Sequence, residues 1–201
     1  MKNNKGFTLI ELIAVVVILA VIMLVAVPNV VSTINKNKKE AFIEDAKKFR
    51  ASVEAKISSD TSINKPNDNT ILIFPLEKVT KASISESPYG LPYSKSKSYV
   101  AVVKAPIQIQ VSETETINKN QLQYYVHLVI CKVDDCKDTD VEARYGINLE
   151  NVDNLNESKR FEKVKQADDV VITDNNYSYA ITRLQTILGR SSMVVNTYTG
   201  S

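Results

Sequence analysis

Apolar residues are distributed along this chain in two different ways. From Phe7 to Val27 only Thr8 and Glu11 interrupt an apolar run. About 21 residues rising 1.5 Å each make a helix of roughly 30 Å, the thickness of a hydrocarbon core. Past Val30 the run becomes a period. Phe42, Ala46, Phe49, Val53 and Ile57 recur at spacings of three and four, with Lys47, Lys48, Arg50, Glu54 and Lys56 between them. No Gly or Pro interrupts residues 30–58, so the helix is predicted to continue as an amphipathic segment with one core-facing stripe. Pro28 lacks an amide donor and disturbs the turn before it, which marks a joint between the two halves.

The pattern then shifts toward strands. Residues 58–62 and 64–69 are turn formers and end the helix. Ile71 to Val79 is apolar enough to pack, as a strand or as a short helix. Ser87-Pro88-Tyr89-Gly90-Leu91-Pro92-Tyr93 predicts a rigid turn leading into a sheet. Residues 98–111 and 121–133 are rich in Val, Ile and Tyr, with 114–120 as the polar connection of a hairpin. Residues 141–149 and 177–188 are further strand candidates. Between these two, residues 151–166 read as a surface loop with a helical turn, anchored by Leu155, Phe161 and Val164. The predicted class is α+β. One long N-terminal helix, a membrane half plus an amphipathic half, packs on a C-terminal antiparallel β-sheet.

Glu11 is the chemically informative residue. A carboxylate at the centre of a membrane helix costs roughly 2.5–3.5 kcal/mol, and less near an end. It therefore needs a partner, yet no Lys, Arg or His lies within the segment. Cutting between Gly6 and Phe7 would create one, the α-amine of Phe7 on this chain or on a neighbour. A secretory signal peptide is cleaved after its apolar region at a small-x-small site, and residues 24–28 offer no good one. A plain single-span anchor explains the length but neither Gly6-Phe7 nor Glu11. Lys2 and Lys5 favour a cytoplasmic N-terminus, although Lys36, Lys38 and Lys39 dilute the asymmetry.

Gly6-Phe7-Thr8-Leu9-Ile10-Glu11-Leu12-Ile13 resembles the class III signal sequence of type IV prepilins. The resemblance implies that a prepilin peptidase cuts after Gly6 and that the new Phe7 amine is methylated. Glu11 falls where that family carries the acid that sets subunit registry, and Pro28 where many pilins have a helix-kinking proline. The implied layout is a cleaved leader at residues 1–6, a transmembrane and filament-core helix at 7–29 and a pilin globular domain at 30–201. The implied partners are the peptidase, other pilin subunits, the membrane before assembly and the pilus assembly machinery. The implied product is a surface filament serving adhesion, motility or aggregation. Two alternatives stand beside it: a pseudopilin of a type II secretion or DNA-uptake machine, and a membrane-anchored extracytoplasmic binding domain. The double-proline turn also resembles a turn of major pseudopilins and some pilins, with departures at Ser87, Tyr89 and Leu91.

Composition changes this picture little. The formal charge is +2, and without Lys2 and Lys5 there are 23 basic and 23 acidic residues, so no nucleic-acid partner is expected. One histidine, no Gly-x-Ser-x-Gly and no phosphate-binding Gly-rich loop argue against an enzyme, and no cofactor is expected. Cys131 and Cys136 flank four residues. A disulfide across a tight turn, two free thiols and a metal site are all open readings, although zinc needs more ligands than two cysteines supply. Asp134, Asp135, Asp138 and Asp140 invite a calcium reading but lack EF-hand spacing. His127 reads as an ordinary sheet residue. Asn156-Glu157-Ser158 and Asn176-Tyr177-Ser178 match the N-glycosylation sequon, a weak signal.

Overall fold

The computed structural model describes residues 8–79, 86–110, 116–131, 143–155, 159–166, 169–171 and 175–200. It forms two compact units, Met1–Lys38 and Lys39–Ser201. The first contains only helix among its described residues past Thr8, namely the opening part of α1 (Leu9–Ser59). The second opens with the remainder of α1. There follow β1 (Thr70–Pro75), α2 (Leu76–Val79), β2 (Tyr99–Gln110), β3 (Thr116–Cys131) and β4 (Ala143–Glu150). The chain ends with β5 (Val164–Gln166), α3 (Ser178–Leu188) and β6 (Val194–Thr197). The strands form one sheet in the order β5-β4-β3-β2-β1-β6. Every neighbouring pair is antiparallel except β1 with β6.

Within the second unit the helical stripe does what its period predicts. Phe42, Ala46, Phe49, Val53 and Ile57 are all buried, and Ile43 joins them. They pack with Leu72, Phe74, Val100, Val102, Val126, Leu128, Ile130 and Ile147 in one apolar cluster. Each such side chain contributes roughly 1.5–3 kcal/mol by leaving water. The polar face is laced by i,i+3 and i,i+4 ion pairs, Glu44 with Lys47, Asp45 with Lys48 and Arg50 with Glu54.

The sheet's other face is also covered. Ile71, Ile73, Tyr99, Ala101, Val103 and Tyr125 cluster with Ala180 and Leu184 of α3. Double coverage explains why β1 reads Ile71-Leu72-Ile73-Phe74 without polar alternation. It also corrects the expectation of a strand at residues 177–188. That segment is mostly helix, because Ala180 and Leu184, four apart, are its buried positions and Ile181 and Leu188 pack beside them. Gly189, at φ 63°, ends it in the left-handed conformation, and the Arg190 amide donates back to the Gln185 carbonyl at 2.9 Å.

Other expectations resolve as follows. Ile71 to Val79 is both alternatives in succession, β1 and then α2. The double-proline turn is tight: the Gly90 amide donates to the Ser87 carbonyl at 3.0 Å, with Gly90 at φ 73°. It delivers Tyr93 into the core, where its hydroxyl donates to Asp45 at 2.8 Å. The polar hairpin connection is shorter than expected, since residues from Thr116 onward already pair with β2, Gln110 opposite Thr116. β1 stops at Ile71 opposite Val103 and β4 stops at Glu150 opposite Val126, so the far ends of β2 and β3 run on with solvent on their outer edges. Ala105, Tyr124 and Tyr125 are still buried there, whereas the described residues from 116 to 121 are exposed, Ile117 at 45%. Residues 151–166 hold short 3-10 turns at Val152–Asn154 and Arg160–Lys163 and then the edge strand β5. Val164 is buried, and Leu155 and Phe161 pack against the core. β6 has no counterpart in the sequence-based expectation.

Candidate functional site

The candidate site begins with the apolar segment of α1. Every large hydrophobic residue described from Leu9 to Ile34 is exposed, from Ile34 at 47% to Leu9 and Leu24 at 77%. This helix is long and apolar enough to cross a membrane, and none of the described residues of its own unit covers it. A soluble helix buries one stripe and wets the other; here all sides are apolar, which calls for lipid or for other helices as solvent.

Glu11 sits in the first turn of α1, and Thr8 is the residue before the helix. The Thr8 amide and hydroxyl both donate to the Glu11 carboxylate, each at 2.8 Å. The Glu11 amide in turn donates to the Thr8 hydroxyl oxygen at 3.4 Å. This is a capping box, in which two otherwise orphaned amides are satisfied reciprocally. Thr8 was not singled out from the sequence, although Thr-x-x-Glu ahead of an apolar run is the signal for it. Gly6 and Phe7, the expected cleavage positions, lie outside the described residues.

Pro28 lies inside α1, whose helical assignment runs through it. Beside it the Asn29 side-chain amide donates to the Val25 carbonyl at 3.1 Å, and the Thr33 hydroxyl to the Asn29 carbonyl at 2.9 Å. Side chains thus supply extra donors to carbonyls around the position where proline removes one.

The remaining sequence candidates are dispersed. Cys131 ends β3, and its side chain, together with Cys136 and the aspartates 134, 135, 138 and 140, lies outside the described residues. Among the described residues no group of three His, Cys, Asp or Glu side chains is placed to hold a metal ion. His127 is fully buried in β3, stacked on Tyr99 at 4.8 Å between ring centres. Asn176 is exposed at φ 55° just before α3, whereas Asn156 is outside the described residues.

One charged feature was not anticipated. At the end of β4, Glu150 accepts from Lys163 at 3.1 Å and from Arg183 at 2.8 Å. With Lys159, Tyr125, Asn151, Leu155 and Ile187 these side chains line an open groove of about 420 Å³. Burial, with Glu150 nearby, pushes the Tyr125 phenol above its ordinary range. Three side chains from different elements meet here, a combination that no local spacing in the sequence announces.

Known proteins share part of this sequence. Residues 1–27 match the family model described as the prokaryotic N-terminal methylation motif. The chain is also similar to the type IV wide pilus major component PilA4 of Thermus thermophilus, 38% identical over 65 residues, 31% of this chain and 50% of that protein. It thus spans about half the length of the curated relative it matches. No solved structure matches it. A prepilin-type methylation motif, an exposed apolar N-terminal helix and a helix packed on a mainly antiparallel sheet give the chain an α+β, pilin-like fold.

Proposed function

We propose that this chain is a structural subunit of a type IV pilus. A prepilin peptidase cuts it between Gly6 and Phe7, the Phe7 amine is methylated, and the subunit polymerises into a filament for adhesion, motility or aggregation. The observation that carries this reading is the exposed apolar helix with a single acid in its first turn, preceded by a short basic leader. Before assembly lipid covers that helix, the leader faces the cytoplasm and the domain from residue 30 onward lies outside. During assembly neighbouring helices replace the lipid. Apolar packing supplies most of the cohesion, and Glu11 sets the register by pairing with a neighbour's Phe7 amine.

The capping box bears on this role. Glu11 is held by Thr8 within its own helix, so its charge is aimed at the terminus before a partner arrives. A carboxylate has lone pairs to accept an ammonium while keeping one such bond. Pro28 serves as the joint between the filament-core segment and the domain.

Shearing filaments from source cells and sequencing the N-terminal peptide by mass spectrometry tests the reading. An abundant N-methylated Phe7 terminus in the sheared fraction is expected. A processed chain confined to the membrane would favour the pseudopilin alternative, and a chain that keeps Lys2 and Lys5 would favour the anchored binding domain. A bulky residue in place of Gly6 should block cleavage, because the peptidase must accommodate that side chain beside the scissile bond.

A further inference from the structure

We infer that the groove between α1, the turn after β4 and one face of the β2–β3 ribbon binds a neutral oligosaccharide. This rests on the reading above that the domain lies outside the cell, where glycans are met. The groove has a volume of about 590 Å³, within the range of small-ligand sites. Pro106 and Gln108 of β2 and Leu122 and Tyr124 of β3 form its floor. In each strand the two positions are two apart, so they share the face that carries Val100, Val102 and Val126 into the core. Arg50, Asn151 and Asp153 stand at the rim.

The polar groups of this groove are fixed but not used up. Arg50 is ion-paired with Asp153 through its Nε at 2.8 Å and with Glu54 at 2.5 Å, and its guanidinium lies 5.0 Å from the centre of the Tyr124 ring. The Asn151 side-chain oxygen accepts from the Asp153 amide at 3.2 Å. A carboxylate has about four acceptor sites and a side-chain amide has two donors. Asp153 and Asn151 therefore keep bonding capacity for a ligand, and the exposed Gln108 adds a further amide. The pattern selects a chemistry. Among the described residues lining the groove, Arg50 is the only cation, and two carboxylates already balance it, so a phosphate or sulfate gains little. Gln108, Gln121, Asn151 and Asp153 make the lining too polar for a lipid or an aromatic ligand. A sugar ring has an apolar C–H face and a rim of hydroxyls that donate and accept. Leu122 and Pro106 suit the first, and the amides and the carboxylate suit the second.

Saturation-transfer NMR on the full-length chain tests this, in a detergent without a sugar headgroup so that the micelle does not compete. The probes are chitotriose, mannotriose and maltotriose, with sialyllactose as the acidic control. At least one neutral trisaccharide is expected to receive saturation. Titration should then show Asp153→Ala binding it about tenfold more weakly, because a hydrogen bond to a charged group is lost. Gln108→Ala should weaken binding by about threefold to tenfold, with an unchanged unfolding midpoint since that side chain is exposed. Lys159→Ala, in the groove at Glu150, should leave the affinity as it is. Silence from all three neutral sugars would overturn the inference. So would binding that survives both Asp153→Ala and Gln108→Ala, which would place the sugar elsewhere. A response confined to sialyllactose would also overturn it, by assigning the groove to anions. No filament is needed for the assay. A chain that binds sugar but never enters a sheared filament would keep this site and lose the pilus role, and an assembled chain deaf to sugar would do the reverse.

Discussion

The two halves of α1 bury their apolar residues in opposite ways. In the first, Leu9 to Ile34, apolar side chains surround the helix and are exposed. In the second, Phe42, Phe49 and Val53 form one stripe that is fully buried, while Lys47 and Lys48 stay wet on the opposite side. Total hydrophobicity marks the first half and periodicity marks the second. A stripe commits a helix to a partner within its own chain. An all-round apolar surface leaves the partner outside the chain; in the function proposed above that partner is lipid and then other subunits.

The sharpest way to break this comparison is Glu11→Ala. If the first half serves assembly alone, leader cleavage should continue while sheared filaments fall to near background, measured as processed chain against filament yield. Normal filaments containing the mutant chain would remove Glu11 from registry. Next comes a matched pair in detergent-solubilised protein. Phe49→Ala empties a fully buried site and should destabilise the domain by about 3–5 kcal/mol in denaturant unfolding. Ile18→Ala, in the exposed half, should leave the midpoint unchanged within about 0.5 kcal/mol. Equal effects would mean that the two halves are not separate in their packing.

Smaller effects sharpen the account of the domain. Gly189→Ala forces a Cβ into a left-handed position at φ 63°, although nothing lies within 4 Å of that Cβ, so strain is the whole cost. A loss of about 1–2 kcal/mol is expected in the same unfolding assay. The smallest effect concerns Asp60, just past α1. The Ser62 hydroxyl and amide hold its carboxyl below the usual 3.8. Its folded value is depressed, so its stabilisation is complete above 3.8 and fades as pH falls through the lower folded value. Asp60→Asn should flatten the pH dependence of stability in that acid range and change little at neutral pH.

The membrane-length run, the stripe from Phe42 to Ile57 and the long strands β2 to β4 were legible because each is a local pattern repeated over many residues. The segment 177–188 misled because Tyr, Ile and Thr favour strands, while the deciding evidence, Ala180 and Leu184 meeting the sheet, is a tertiary contact. β6 is four residues long and pairs with a strand more than a hundred positions earlier, so no window along the chain contains its partner. At the candidate site, Glu11 stood out as a lone acid in an apolar run, whereas its bond to Thr8 needed a short motif to be weighed as well. Glu150, Lys163 and Arg183 were invisible for the same reason as β6.

By itself, then, the sequence determined which part of the chain leaves water and where the helix changes character. Those are properties of neighbours and periods, and elementary transfer energies act on them without reference to the fold. Only the tertiary structure decided that the sheet is covered on both faces, that residues 178–188 are helix, and that three distant charges share one groove. Burial and pairing across the chain outweigh local preference there, because the free energy of a contact depends on what the fold brings beside it and not on what precedes it in sequence.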